Sequence, residues 1–227
     1  MSLFNNATLD CGSCGHAMDV SWAASVNADR RPDLRDNILA GTFQATQCEL
    51  CGQPVRFPPH LTYVDVGRQE WILVEDPSEL DRWPDHEKHA QAVFDENFGP
   101  RAPEVVRDLA AGLRIRLVFG WPALREKLVL TELGLDDEVV ELTKLAVING
   151  AVAAPIGGSE SMRIVGEEDG QLQVAVTHDI TEAVSATTTI PRDLYNDIAA
   201  DIGSWKALRD QWAGQPFIDT SRLFVGA

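Results

Sequence analysis

The stretches CGSCG at residues 11–15 and CELCG at residues 48–52 hold every cysteine of the chain: Cys11, Cys14, Cys48 and Cys51. Two Cys-x-x-Cys units in series, each followed by glycine, fit one tetrahedral zinc site built from two hairpin tips. Gly15 and Gly52 have access to positive φ, which lets backbone N–H groups turn toward a thiolate sulfur. The chain between and around the two units must therefore fold back so that both tips meet at one ion.

Paired thiols have other uses, each with its own requirements. Disulfides need an oxidising compartment. The N-terminal MSLFNNATLD has neither the basic start nor the apolar core of an export signal, so the expected location is the cytoplasm. A thioredoxin-like site needs one such pair ahead of a helix, whereas DVSWAASVNA, which follows the first pair, alternates like a strand. An iron–sulfur cluster takes the same four thiolates and stays open as an alternative. With zinc, four cysteines fill the coordination sphere and leave no position for substrate, so the role expected is structural. About 10–16 kcal/mol of apparent binding energy would then be available to order this segment. His16, two residues past Cys14, reads as a surface or neighbouring side chain and not as a ligand.

At 227 residues, with 44% hydrophobic and 24% charged residues, the chain has the usage of a globular protein of two or three folding units. No apolar run approaches the roughly 20 residues that span a bilayer. The net charge of −16 opposes close approach to phosphate backbones, so nucleic acid is a disfavoured partner and another protein the expected one. The charge is uneven. Residues 75–97 carry 8 acids and 2 bases, while residues 101–130 carry 6 bases and 3 acids.

Residues 19–28 alternate so that Val20, Trp22, Ala24 and Val26 would share one strand face. A short helix follows, with Asp29 as expected N-cap, Pro32 in its first turn, Leu34, Ile38 and Leu39 apolar, and Gly41 past its end. Strands are expected at 42–47, 53–57 and in LTYVDVGRQEWILVE, where Gly67 marks a hairpin turn. Residues 77–100 read as an acidic connecting segment with one helix. Val105, Leu109 and Leu113 have helical spacing, although a strand starting near Leu113 fits as well. Two helices are expected in WPALREKLVLTELGLDDEVVELTKLAVI, a hairpin around EEDG, a strand in AVSATTTI and a helix broken near Gly203.

Residues 11–76, with both cysteine pairs, SVNA, PDLRDNILAGTF and YVDVGRQEWIL, resemble the CpXC domain, a bacterial zinc-ribbon-like unit. LRIRLVFGWPALREKLVLTELGLDDEVVELTKL resembles the region that follows in that family. The four cysteines match the family's ligands. The prolines that follow the first cysteine of each pair in the family are replaced by Gly12 and Glu49. The resemblance implies fold and metal; the family has no established biochemical activity, so it implies none here.

A search for catalytic constellations is negative. HEKH places His86 and His89 at i, i+3, not at the i, i+4 of the metalloprotease helix, and reads as a solvated face. PIGGSESM has no lysine or nucleophile elbow. The acids Glu132, Asp136, Asp137, Glu138 and Glu141 suit the first turn of a helix through its dipole, with cation binding the weaker reading. A concave pocket converging on His178 would reopen the enzymatic reading.

The expectation is an α+β protein: a zinc-ribbon-like β domain with an inserted helix at 1–76, a connecting segment at 77–100, and a helical plus small antiparallel-sheet domain at 101–227. Its expected function is that of a protein-protein interaction module or adaptor without catalysis of its own. The alternative is a nucleic-acid- or transcription-associated adaptor with a basic face at 101–130. Arg114 and Arg116, one residue apart on a strand, and nearby Trp121 are the candidate partner contacts.

Overall fold

The computed structural model describes residues 2–150 and 159–225. The fold is mixed α+β, as expected. Strand β1 (Leu3–Asp10) pairs antiparallel with β2 (Ala17–Asn27), and the first cysteine pair lies in the turn between them. Pro32 opens helix α1 (Pro32–Leu39), which buries Leu34 and Ile38. The second pair lies at the tip of a small hairpin, β3 (Ala45–Gln47) and β4 (Pro54–Arg56). A hairpin of β5 (Leu61–Asp65) and β6 (Glu70–Glu75) follows, turning at residues 66–69.

Two local expectations change. The face predicted for Val20, Trp22, Ala24 and Val26 does not form; Met18, Ala23 and Val26 are the buried residues of β2. Leu3 pairs with Ser25 but Phe4 with Ala23, so Ala24 is an inserted residue. One insertion reverses the parity of the strand beyond it. Nor does Asp29 cap α1, where Arg31 holds the cap position without a side-chain hydrogen bond. The Asp29 carboxylate instead accepts the N–H groups of Val66 and Gly67 at 2.7 and 3.0 Å, tying the β5–β6 turn to the end of β2.

Helix α2 (Trp83–Phe98), helix α3 (Glu104–Ala110) and strand β7 (Arg114–Phe119) come next. Both readings of residues 104–118 are thus realised, one after the other. Val105 and Leu109 are 71% and 55% exposed, so the helical stripe does not face the core. β7 pairs in parallel with β6 from Glu70↔Arg114 to Glu75↔Phe119. The main sheet, in order β1-β2-β5-β6-β7, therefore runs across the boundary expected at 76–101. Parallel neighbours need a crossover, and residues 77–113 are that crossover rather than a linker.

β6 is buried along its whole length because both faces are covered. Ile72 and Val74 join Ala23, Val26, Leu34, Ile38, Leu124 and Leu128 on one side, whereas Trp71 and Leu73 join Trp83, Ala90 and Leu117 on the other. Helix α4 (Trp121–Glu132) completes the first cluster and also supplies Leu130 to a third core. That core lies between α5 (Asp137–Gly150), the antiparallel sheet of β8 (Glu160–Glu168), β9 (Gln171–His178) and β10 (Val184–Pro191), and helices α6 (Arg192–Ala200) and α7 (Lys206–Trp212). The C-terminal segment returns to the main sheet, where Pro216 O accepts Leu117 N–H at 2.9 Å and Phe217 packs with Trp83 and Phe119.

Candidate metal centre

The two cysteine turns are copies of one another. In the first, Cys11 N–H donates to His16 O at 2.9 Å and Gly15 N–H to Cys11 O at 2.8 Å. In the second, Cys48 N–H donates to Gln53 O and Gly52 N–H to Cys48 O, both at 2.8 Å. Gly15 and Gly52 both have φ of 70°, a conformation that costs little only for glycine. A side chain there would meet open space, so the requirement is one of backbone conformation and not of room.

The tips meet. Sγ of Cys11 lies 3.7 Å from Sγ of Cys51, and Sγ of Cys14 lies 3.6 Å from Sγ of Cys48. All four donor atoms lie within 4.8 Å of one another, and this is the one such group of metal-ligating side chains among the described residues. A tetrahedron with metal–sulfur bonds of about 2.3 Å has edges of about 3.8 Å. The 3.7 and 3.6 Å separations match those edges, so the four sulfurs are placed where they could hold one metal ion. Cys11 and Cys48 are buried with Met18, while Cys14 and Cys51 are exposed. The N–H groups of Ser13 and Cys14 lower the Cys11 thiol to about 7. Cys14 is also stabilised as a thiolate by the His16 N–H, but partial desolvation by its neighbours and the sulfurs of Cys51, Cys48 and Cys11 push it up to about 12. Four sulfurs this close do not all ionise without a cation between them. His16 is half-buried, and its main chain, not its ring, braces the first turn.

The other candidate residues meet different fates. Trp121 is 2% exposed, so it is a core residue and not a partner contact. Its Nε1–H donates to Phe57 O at 3.0 Å, its ring meets Phe43 edge-on, and the Arg56 guanidinium lies over it. Arg116 is spent inside the protein on a bidentate pair with Asp137 at 2.7 and 2.9 Å. Arg114 alone of the three is exposed, donating to Thr131 Oγ1 at 3.3 Å. Lys127 and Arg125, further bases of the 101–130 segment, pair with Asp137 and Glu182.

The acid cluster is dispersed into structural roles. Asp136 accepts Val139 N–H at the start of α5, Glu132 pairs with Arg35, and Asp137 and Glu141 are buried in ion pairs. His86 is not on a solvated face: it lies 3.5 Å from both Glu75 and Glu79 and packs edge-on to Phe119, while His89 is exposed. His178 Nδ1 accepts Ile180 and Thr181 N–H groups in a turn. Residues 155–158 of PIGGSESM lie outside the described residues.

A buried ionic network went unread in the sequence. Lys144 reaches both oxygens of Glu126 at 3.1 Å, Arg163 bridges Glu126 at 3.1 Å and Asp219 at 2.5 Å, and Thr220 N–H donates to Glu141 at 2.9 Å. It ties α4, α5, β8 and the C-terminal segment together. The partners lie up to 79 positions apart, as in Glu141 and Thr220, so local charge patterning does not reveal them.

Comparison with known proteins accords with this geometry. The CpXC protein family model matches residues 9–144, which include both cysteine turns and the strand and helices that follow. The chain belongs to the CpXC family. An uncharacterized protein of Treponema pallidum (strain Nichols) is 21% identical over 228 residues, covering 95% of this chain and 97% of that protein. The similarity thus extends past the CpXC match into the C-terminal third. No solved structure matches. No helix among the described residues of this CpXC protein is long and apolar enough to cross a membrane.

Proposed function

We propose that this CpXC protein is a cytoplasmic adaptor whose N-terminal half is organised by one structural zinc ion and which works by binding another protein. The observation that supports the reading is the pair of Sγ separations of 3.7 and 3.6 Å, the edges of a tetrahedron around a single ion. All four sulfurs within 4.8 Å favour a mononuclear site over an iron–sulfur cluster, whose several irons would spread the thiolates. Cys11, Cys14, Cys48 and Cys51 would hold the ion as thiolates, and the ion would supply folding energy and no open coordination position. The ion pairs of Arg116, Arg125 and Lys127 weigh against the basic-face alternative, because cations already neutralised by carboxylates gain little from phosphate.

The reading is tested by capture of interacting proteins with the zinc-loaded chain and with Cys48→Ser. A specific partner retained by the first and lost by the second is the result expected. Equal capture by both, or a zinc-dependent turnover by the purified chain, would contradict it.

A further inference from the structure

Beside the cysteine-bearing tips, β2 has an edge on which no strand lies among the described residues. β1 pairs with β2 from Ala17 to Ser25, but β5 takes up the opposite edge only at Ser25, Val26 and Asn27. Facing the open part is the outer edge of β3, whose pairing is with β4 alone. Between the two edges runs a groove of about 370 Å³ whose lining includes Asp19, Ser21 and Ala23 of β2 together with Gln44, Ala45 and Thr46.

In an antiparallel ladder alternate residues aim their N–H and C=O groups away from the partner strand. The Ala23 carbonyl accepts Gln44 Nε2–H at 3.2 Å, which marks Ala23, and with it Ser21 and Asp19, as the residues whose peptide groups face the groove. On the other side Phe57 N–H donates to Gln44 O, so Gln44 and Thr46 face β4, and Ala45 and Gln47 face the groove. Two rows of peptide groups thus flank a slot that spans about 13 Å from Asp19 to Ala23 at about 3.3 Å per residue.

Gln44 behaves as a stand-in for a strand at the inner end of this slot. It holds a φ of +52°, unusual for a residue with a side chain, and its amide bonds to Ala23 O as a peptide N–H would. Its Oε1 is buried without a hydrogen-bond partner, an acceptor waiting for an N–H. The apolar part of the lining comes from Phe4, Phe43, Phe57 and Val20 with the small Ala23 and Ala45, and the single charged residue in the lining is Asp19.

We propose that this groove takes an extended peptide of a partner protein, added as a strand between β2 and β3, with apolar side chains at alternate positions and a lysine or arginine opposite Asp19. The inference rests on the adaptor reading and identifies its docking surface. Backbone pairing supplies the affinity, and the carboxylate with no cation beside it in the lining sets the charge preference.

The probe is an acetylated, amidated hexapeptide with lysine at each end and alternating valine and threonine between, added to the zinc-loaded full chain. Amide exchange at Ser21 and Ala45 should slow by about tenfold or more, since their N–H groups would become bonded. The same peptide N-methylated on every amide should give no protection, since neither edge could then pair, and glutamate in place of lysine should weaken binding by about tenfold. Ser21→Pro removes a groove-facing N–H without touching the pairing to β1, and should abolish binding with the metal content unchanged. No protection at millimolar peptide, or equal protection by the N-methylated peptide, overturns the assignment. Because the N-methyl control leaves the protein untouched, it holds even if Ser21→Pro misfolds. Failure here with zinc-dependent partner capture intact rejects the groove alone, whereas loss of that capture rejects the adaptor itself.

Discussion

Lys144 and Glu141 lie one turn apart on α5 and close a 2.6 Å ion pair at a depth where both side chains are at most 1% exposed. Glu126 accepts from the same ammonium, from Arg163 and from Ile164 N–H, so donors from α5 and β8 converge on one carboxylate of α4. Burial raises Glu141 to about 7, against the pull of Lys144, because Asp219 and Glu126 stand close by. Such a network holds geometry more than it adds stability.

Lys144→Met tests it. Removing one partner of a buried pair leaves the other charge uncompensated, at a cost of about 3–5 kcal/mol. Adding Glu141→Gln should recover part of this loss in urea unfolding, since Glu141 is the carboxylate left without its cation while Glu126 keeps Arg163. A single variant as stable as the parent would contradict the network.

Glu70 gives a pH prediction of opposite sign to the usual carboxylate. It is 4% exposed, its Oε1 accepts from Thr131 Oγ1, and burial raises its carboxyl to about 7. The folded value exceeds the unfolded value of about 4.3, so this contribution is full below pH of about 4.3 and is lost as the pH rises through about 7. Glu70→Gln should cancel that decline. Relative to the variant, the parent should lose up to about 3 kcal/mol between pH 4 and 8 in parallel unfolding titrations. A constant difference across this range would place Glu70 outside the buried, protonated state.

Trp121→Ala should destabilise the fold by about 3–5 kcal/mol, through the lost contact with Phe43 and the unbonded Phe57 carbonyl. Arg114→Ala should change stability by less than about 0.5 kcal/mol, as an exposed side chain with one long hydrogen bond. Thermal unfolding of the two variants separates a core tryptophan from a surface arginine.

What was legible in the sequence is local. The paired cysteines with Gly15 and Gly52, Pro32 at a helix start, and the EEDG turn each act through neighbouring residues, and each gave its element. Sidedness was not legible, because one inserted residue, Ala24, reverses the parity of β2. Trp121 reads as a contact or a core residue with equal ease until Phe43 and Phe57, more than 60 positions upstream, pack against it. The sheet's passage into β7 was hidden because a crossover strand carries no mark of the neighbour it will choose. The convergence of the four cysteines was legible because a set of donors fit for a metal needs only two tight turns brought together.

The most direct test of the account is metal analysis of the purified chain combined with X-ray absorption at the metal edge. The account predicts one zinc per chain with four sulfur neighbours at about 2.3 Å, lost together with the ordered N-terminal hairpins on chelation. A folded chain without metal, or a zinc shell containing nitrogen or oxygen donors, would contradict it.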